Sequence, residues 1–564
     1  MNRKLVLIAG AAVAALSLAF WQTAQAPLAL AAKMPPGAVL YLEAGNLGGL
    51  LGEWSGSREK SEWLKSANYQ SFSRTRLLGR LGSASEEFGA ASGLPNDWDL
   101  LTSVAGGQSA MAIYDIGNMK FVYISRLSAA KVAQTKLWQA RGGFQTKSAA
   151  GKTYFAKVDV GSKRVASFAH DGDLLVLATD ENLMSATLAQ LGATAGGLRA
   201  EPWFDAAWNA AGAGGDLRMV YSMQSLVRSP HFRSYWIQHN VSELKPFTAG
   251  ASTLVRSGRE WVESRVLLRS DASNVNAVAL DGLLGLVPQS AGSYRAWANP
   301  DASQIASLIG TRLLGAEARQ GAGDSGRQVE RAPGEMGVVE QGDSSELEAR
   351  LDDAPIEEKG AIFNAGAFAD LFRANAPTAV LTLGATRAGA DGVFSAVDSA
   401  VVVQLTSPLT NGDWTTAVSA SMKGLHSASQ LGVQWRAKGS YQVLDGLLPL
   451  FGTVSGSRLI LTNSEKFMTD ILAGGGAKAL DPATVYFAEV RHNQERGAFQ
   501  SIMRLIDASS PRPPQEGNEV REPLMFSENL SSLSAVLRRF DSASVVRRDL
   551  GNQLRETVTY RLGQ

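Results

Sequence analysis

Short apolar runs bounded by Gly, Pro, Asn or Asp recur along this chain, and most of them pattern as strands. Residues 109–114 and 120–125 flank a polar turn, as do 380–384 and 396–405, so each pair is predicted to form an antiparallel hairpin. Residues 153–159, 164–169 and 174–178 predict a meander, and proline opens strands at 36–42, 288–298 and 482–490. Apolar spacing near 3.6 predicts helices over 59–78, 130–141, 181–190, 225–239, 302–314, 365–375, 465–472 and 494–506. This mixture reads as α+β, with mainly antiparallel sheets and helices packed on one face.

The same pattern occurs twice. Residues 171–188 (DGDLLVLATDENLMSATL) align without a gap on residues 455–472 (SGSRLILTNSEKFMTDIL) at an offset of 284. Gly172/Gly456, Leu175/Leu459, Leu177/Leu461, Glu181/Glu465, Met184/Met468 and Leu188/Leu472 are identical. Each stretch reads as a turn, an apolar strand, a polar cap (Thr179 or Asp180, Asn463 or Ser464) and a helix with an acidic first turn. Further matches keep the order: residues 75–79 with 311–315, 109–113 with 378–382, and 121–127 with 401–407, at offsets of 236, 269 and about 280. The step from 236 to 269 predicts 33 extra residues, and residues 316–359, polar and without aromatics, read as a solvated, disordered insertion. Residues 251–269 and 543–562 each read as a terminal hairpin turning at Gly258 or Gly551. The expectation is two tandem related copies, 34–275 and 276–564.

The first 32 residues differ from the rest. Arg3 and Lys4 precede an uncharged apolar run of 17 residues, 5–21, and small residues follow at Ala24, Ala26, Ala31 and Ala32. Basic, then apolar, then small is the order of a secretory signal. Ala24 and Ala26 suit a signal peptidase but place Pro27 directly after the cut, whereas Ala31 or Ala32 avoids the proline but lies far from the apolar run. An uncleaved anchor is the second reading, since ~17 residues is near the minimum for a span. The expected location is periplasmic or otherwise outside the cytoplasm, with the inner membrane as partner if the segment is retained.

Composition narrows the chemistry. The 564 residues, 45% of them hydrophobic, suffice for more than one core. With 54 basic and 53 acidic side chains there is no basic excess to neutralise phosphates, so nucleic acid is not an expected partner. The absence of cysteine excludes disulfides, thiol nucleophiles and thiolate metal sites, and only five histidines remain for acid–base or metal work.

The short motifs lack their context. Gly323-Asp324-Ser325-Gly326 imitates the turn around a catalytic serine but lies in the polar insertion. Ser57/Lys60 and Ser128/Lys131 have Ser-x-x-Lys spacing without a following Lys-Thr-Gly, and Ser527-Glu528-Asn529 alone is a weak partner for them. His231 and His239 are eight residues apart, which on a straight helix is too far for one metal ion. His170-Asp171 has no matching serine context, and Asp97 and Asp99 read as loop ends. Gly474-Gly475-Gly476 before Lys478 follows a helix, so it reads as a helix stop rather than a phosphate loop. Trp203, Phe204 and Trp208 at helical spacing could line a groove, though core packing is the simpler role. No catalytic, cofactor or metal residue is assigned, and no cofactor is expected.

The signal, the opening Pro35-Pro36-Gly37-Ala38-Val39-Leu40-Tyr41-Leu42, the twice-used Gly-x-x-Leu-x-Leu strand-to-helix unit and the terminal hairpins together resemble a family of uncharacterised exported bacterial proteins of unknown function. That resemblance implies export and duplication and supplies no catalytic residue. The resulting expectation is a non-catalytic cell-envelope protein that binds or scaffolds an envelope protein or an apolar ligand. The alternatives are an envelope hydrolase with an unrecognised Ser or carboxylate site, and a carrier of lipid or another apolar ligand.

Overall fold

The computed structural model describes residues 30–57, 60–61, 64, 76–95, 97–193, 195–212, 214–230, 244–273, 278–314, 366–388, 395–426, 434–444, 449–476, 479–497 and 540–563. The apolar run 5–21, the insertion 316–359, Ser325, His231, His239, Lys478 and Ser527 lie outside the described residues. The chain divides into two compact units, Met1–Ser273 with Leu550–Thr559, and Asn274–Asp549 with Tyr560–Gln564.

The first unit contains β1 (Leu40–Ala44), β2 (Ser109–Asp115), β3 (Lys120–Arg126), β4 (Gln145–Ala149), β5 (Lys152–Val158), β6 (Val165–Asp171), β7 (Leu174–Ala178), β8 (Leu217–Ser222), β9 (Phe247–Ser257) and β10 (Glu260–Arg269). All pairings are antiparallel, in the spatial order β4-β5-β6-β7-β3-β2-β1-β8-β9-β10. The strand Gln553–Leu562, most of which belongs to this unit, lies beside β10.

The second unit contains β11 (Ser293–Ala298), β12 (Pro377–Ala388), β13 (Ser395–Leu405), β14 (Trp435–Lys438), β15 (Tyr441–Leu444), β16 (Leu450–Ser455), β17 (Arg458–Thr462), β18 (Thr484–Val490) and β19 (Phe540–Asp549). Its order is β14-β15-β16-β17-β13-β12-β11-β18-β19, again antiparallel. Strand for strand this is the order of the first unit with every label raised by ten. The turns Gly172 (φ 62°) and Gly456 (φ 60°) occupy the same place, a left-handed position that glycine adopts without strain.

The fold is α+β as expected, but the sheets are covered on both faces rather than one. On β7, Leu174, Val176 and Ala178 enter one apolar cluster with Met184, Leu188 and Phe204, while Leu175 and Leu177 enter another with Leu100, Val132, Leu137 and Phe168. On β13, Val401 and Val403 meet Ile305, Phe368 and Trp414, while Ala400 and Val402 meet Leu283, Phe467 and Met468. A strand buried on both faces reads as a continuous apolar run instead of an alternation. Residues 174–178 (LLVLA) and 401–403 (VVV) carry that mark.

Among the helices, Glu181–Gln190, Ala302–Leu313, Gly366–Ala374 and Glu465–Ala473 fall where the spacing places them. The span 130–141 is two helices, Ala129–Gln134 and Lys136–Gln139, parted at Thr135, whose backbone is extended and whose hydroxyl caps the second. Leu47–Ser55, Trp98–Val104 and Asn411–His426 are further helices that the periodicity did not suggest. Leu47–Ser55 is glycine-rich, hence of low intrinsic propensity, and is started by the Asn46 side chain, which accepts from the Gly49 N–H at 3.0 Å. The match of 75–79 with 311–315 is not an equivalence, because the helix Arg76–Ser92 continues well past Gly79 to Ser92 whereas Ala302–Leu313 closes at Leu313, within the match. The predicted excess of 33 residues rested on that match and falls with it.

At its start the first unit has a short 3-10 helix, Leu30–Lys33, with Leu30 and Ala31 fully buried. Leu30 and Ala31, grouped by sequence with the signal or anchor, are thus built into the first core. Among the described residues no helix is long and apolar enough to cross a membrane.

Candidate functional site

The two units share one polar constellation. In the first, Lys147 on β4 faces Tyr154 on β5 directly across the antiparallel pair. Glu181, the first residue of the helix after β7, accepts from the Lys147 Nζ at 2.8 and 2.7 Å and from the Tyr154 hydroxyl at 3.0 Å. In the second unit Lys438 on β14 faces Tyr441 on β15. Glu465, the first residue of the helix after β17, pairs with the Lys438 ammonium and accepts from the Tyr441 hydroxyl at 2.5 Å. The ladders make these residues correspond: Leu177 pairs Phe168, which pairs Phe155, while Leu461 pairs Gly452, which pairs Gln442. Tyr154 and Tyr441 each precede the last residue of those chains of pairs by one.

The arrangement is a clasp. A helix N-terminus favours a carboxylate, and the glutamate placed there ties the outer hairpin of the sheet to the helix. Its glutamate holds the Lys147 ammonium above its ordinary range, and the same is true of Lys438 beside Glu465. Burial, then the bond to Glu181, raises Tyr154, and the bond to Glu465 raises Tyr441. Lys438, then Tyr441, lowers the Glu465 carboxyl. These bonds join the start of the helix to the outer hairpin of the sheet in each unit.

A second cluster lies on the central strands of the first unit. Tyr41, fully buried, donates to Glu43 at 2.7 Å, and Glu43 also accepts from Gln108. Arg218 faces Glu43 across the β1–β8 pair. Its guanidinium lies 4.1 Å from the Trp208 ring and donates to the Gly212 and Gly214 carbonyls at 2.5 and 3.1 Å. Trp208 in turn stacks on Phe204 at 5.9 Å. The aromatic set 203–208 is therefore core packing capped by an arginine, and Phe204 is fully buried.

The Ser-x-x-Lys pairs are not assembled for catalysis. The Ser57 hydroxyl accepts from the Lys60 backbone N–H at 3.1 Å, while the Lys60 ammonium lies 4.4 Å from the Trp98 ring. Ser128 is an exposed helix cap and Lys131 is exposed. Asp97 caps Trp98–Val104 through the Leu100 N–H at 2.8 Å and binds Lys136 at 3.2 Å. Asp171 pairs with Lys152, and the His170 ring meets Trp138 edge-on at 6.0 Å. Gly474 (φ 79°) ends its helix, as the sequence indicates. Among the described residues no group of three or more His, Asp or Glu side chains is placed to hold a metal ion. A crevice lined by Phe88, Met119, Phe121, Arg164 and Thr179 has a volume of about 20 Å³, room for a water rather than an acyl chain.

The sequence singled out Glu181 and Glu465 as identical helix-start acids but not their lysine and tyrosine partners. The glutamates share the offset 284, whereas the tyrosines are 287 apart and the lysines 291, so a gapless alignment separates them.

No family model matches the chain, and no curated protein matches it. Among solved structures, crystal form I of TP0453 is similar at 12% identity and a TM-score of 0.24, covering 44% of this chain and 82% of the other. Crystal form III of TP0453 is similar at 11% identity and a TM-score of 0.25, covering 46% of this chain and 86% of the other. Scores this low carry nothing about fold or function.

Proposed function

We propose that this chain is a non-catalytic, exported cell-envelope protein that binds or scaffolds an envelope component through two copies of one α+β module. The carrying observation is the clasp: the same three side chains occur at corresponding ladder positions of two units with one strand order. Tyr41 and Tyr294 also correspond along the ladders; the tyrosine is shared but its partner is not, since the Tyr41 hydroxyl donates to Glu43 on its own strand at 2.7 Å and the Tyr294 hydroxyl to Glu489 across the β11–β18 pair at 2.8 Å. Independent origins would have no reason to repeat such details, whereas a duplicated module inherits them. In both copies the conspicuous polar groups are consumed in holding elements together, which supports a platform over a reaction centre. Export rests on the basic-apolar-small order of residues 3–32.

The test is recovery of the tagged full-length protein from native envelopes, with mass spectrometry of the proteins and lipids that accompany it. Reproducible enrichment of a defined envelope component, abolished by unfolding the protein, supports the reading. Recovery of neither, together with turnover of an ester or glycan substrate by the purified chain, overturns it in favour of a hydrolase.

A further inference from the structure

We infer that the N-terminal apolar segment stays attached to the folded protein and tethers it to the membrane. This rests on the export reading above and deepens it.

Described residues of the first core, from Leu30 on, overlap the stretch in which the signal would be cut. Leu30, Ala31 and Met34 are fully buried in the core that holds Tyr41, Met184 and Phe204. The Leu198 N–H donates to the Met34 carbonyl at 2.9 Å, and the Lys33 ammonium donates to the Leu191 carbonyl at 2.6 Å. A Cβ on Gly197 would lie 2.5 Å from the carbonyl oxygens of both Ala32 and Met34, so that backbone is pressed against its neighbour. The second unit shows the same part as an internal segment. The Tyr41–Tyr294 correspondence, an offset of 253, carries Leu30, Ala31 and Met34 onto Leu283, Leu284 and Val287, all buried. There too a glycine meets the carbonyls: the Gly475 N–H donates to Gly285 at 2.6 Å, and a Cβ on Gly475 would lie 2.2 Å from the Val287 oxygen. Residues 30–34 are therefore a component of the module.

Signal cleavage has two places with small side chains. A cut after Ala31 or Ala32 would remove Leu30 and Ala31 from the core and put a new ammonium at Ala32, 9% exposed, or at Lys33. A buried ammonium without a partner is strongly unfavourable. A cut after Ala26 spares the core but must open the Ala26–Pro27 bond. That bond is a tertiary amide, and the ring restricts the backbone of the residue before it. The acceptable bonds would damage the fold, and the harmless bond is a poor substrate.

The experiment expresses the full chain with a C-terminal tag in an exporting bacterium, fractionates the cells, washes membranes with alkaline carbonate and reads the N-terminus by intact mass. The expected result is a membrane-retained chain that keeps residues 2–26. Pro27→Ala is expected to be cut after Ala26 and released as folded protein, moving most of the chain to the soluble extracytoplasmic fraction. A wild-type N-terminus at residue 27, 32 or 33 overturns the tether and leaves export standing. An uncut chain in the soluble cytosol overturns export and the tether together. A Pro27→Ala chain that stays uncut in the membrane overturns the role assigned to Pro27.

Discussion

Lys147, Tyr154 and Glu181, with Lys438, Tyr441 and Glu465, define how charge is used in this protein. A lysine raised by its folded partner contributes stability fully below the unfolded value, about 10.4, and loses it as pH rises through the higher folded value. A carboxyl lowered by its partners contributes above about 4.3 and loses that contribution as pH falls through the lower folded value. The clasp of the second unit is thus expected to stabilise on a plateau between those limits. Glu465→Gln should lower the plateau and flatten both limbs, read from denaturation midpoints at about pH 3, 7 and 11. If the two limbs persist unchanged, the clasp contributes nothing. A different residue sets packing at the place shared by Phe168 and Gly452. Phe168 stacks on Phe155 at 5.2 Å, whereas a Cβ on Gly452 would lie 2.3 Å from Trp414. Gly452→Ala is expected to cost ~1–3 kcal/mol by overpacking, and a smaller ring in Trp414→Phe should relieve part of it in a double-mutant cycle.

At the scale of elements, helices start and stop where side chains and glycines dictate rather than where periodicity ends. Asp97, Asp180, Asp301 and Ser464 each cap a helix through side-chain acceptance of backbone N–H groups. Gly197 and Gly475 sit where a helix exit presses on the segment before the first strand of each unit. Gly475→Ala should cost ~1–3 kcal/mol, because the obstacle is a backbone carbonyl that cannot swing aside. Gly197→Ala should cost more, since its φ of 56° adds left-handed strain. Thermal unfolding of both variants checks the ranking, and equal, negligible shifts would show that the backbone there can relax. Burial of Leu30 by the same contact is worth roughly 2 kcal/mol.

At the scale of the molecule, sequence order and unit membership diverge. Residues Leu550–Thr559, near the end of the chain, belong to the first unit. There Glu556 binds Arg265 at 2.9 Å, the Arg269 N–H donates to Asn552, and Val558 is buried. Deleting residues 550–564 is therefore expected to expose β10, raising its amide exchange at least ~10-fold by hydrogen–deuterium mass spectrometry, while β13 and β17 stay protected. Loss of protection confined to the second unit would contradict this membership.

Apolar patterning along the chain determined the α+β class, the β5–β6–β7 meander and the strand-to-helix unit at offset 284, because each depends on neighbouring residues alone, and the lack of cysteine excluded any disulfide. The tertiary structure decided the rest. Burial on both faces depends on what a strand packs against, the lysine–tyrosine–glutamate partners meet only across ladders whose connecting loops differ in length, and the roles of residues 30–34 and 550–559 follow from which core receives them. Those are relations between residues distant in sequence, and local periodicity holds no record of distance in space.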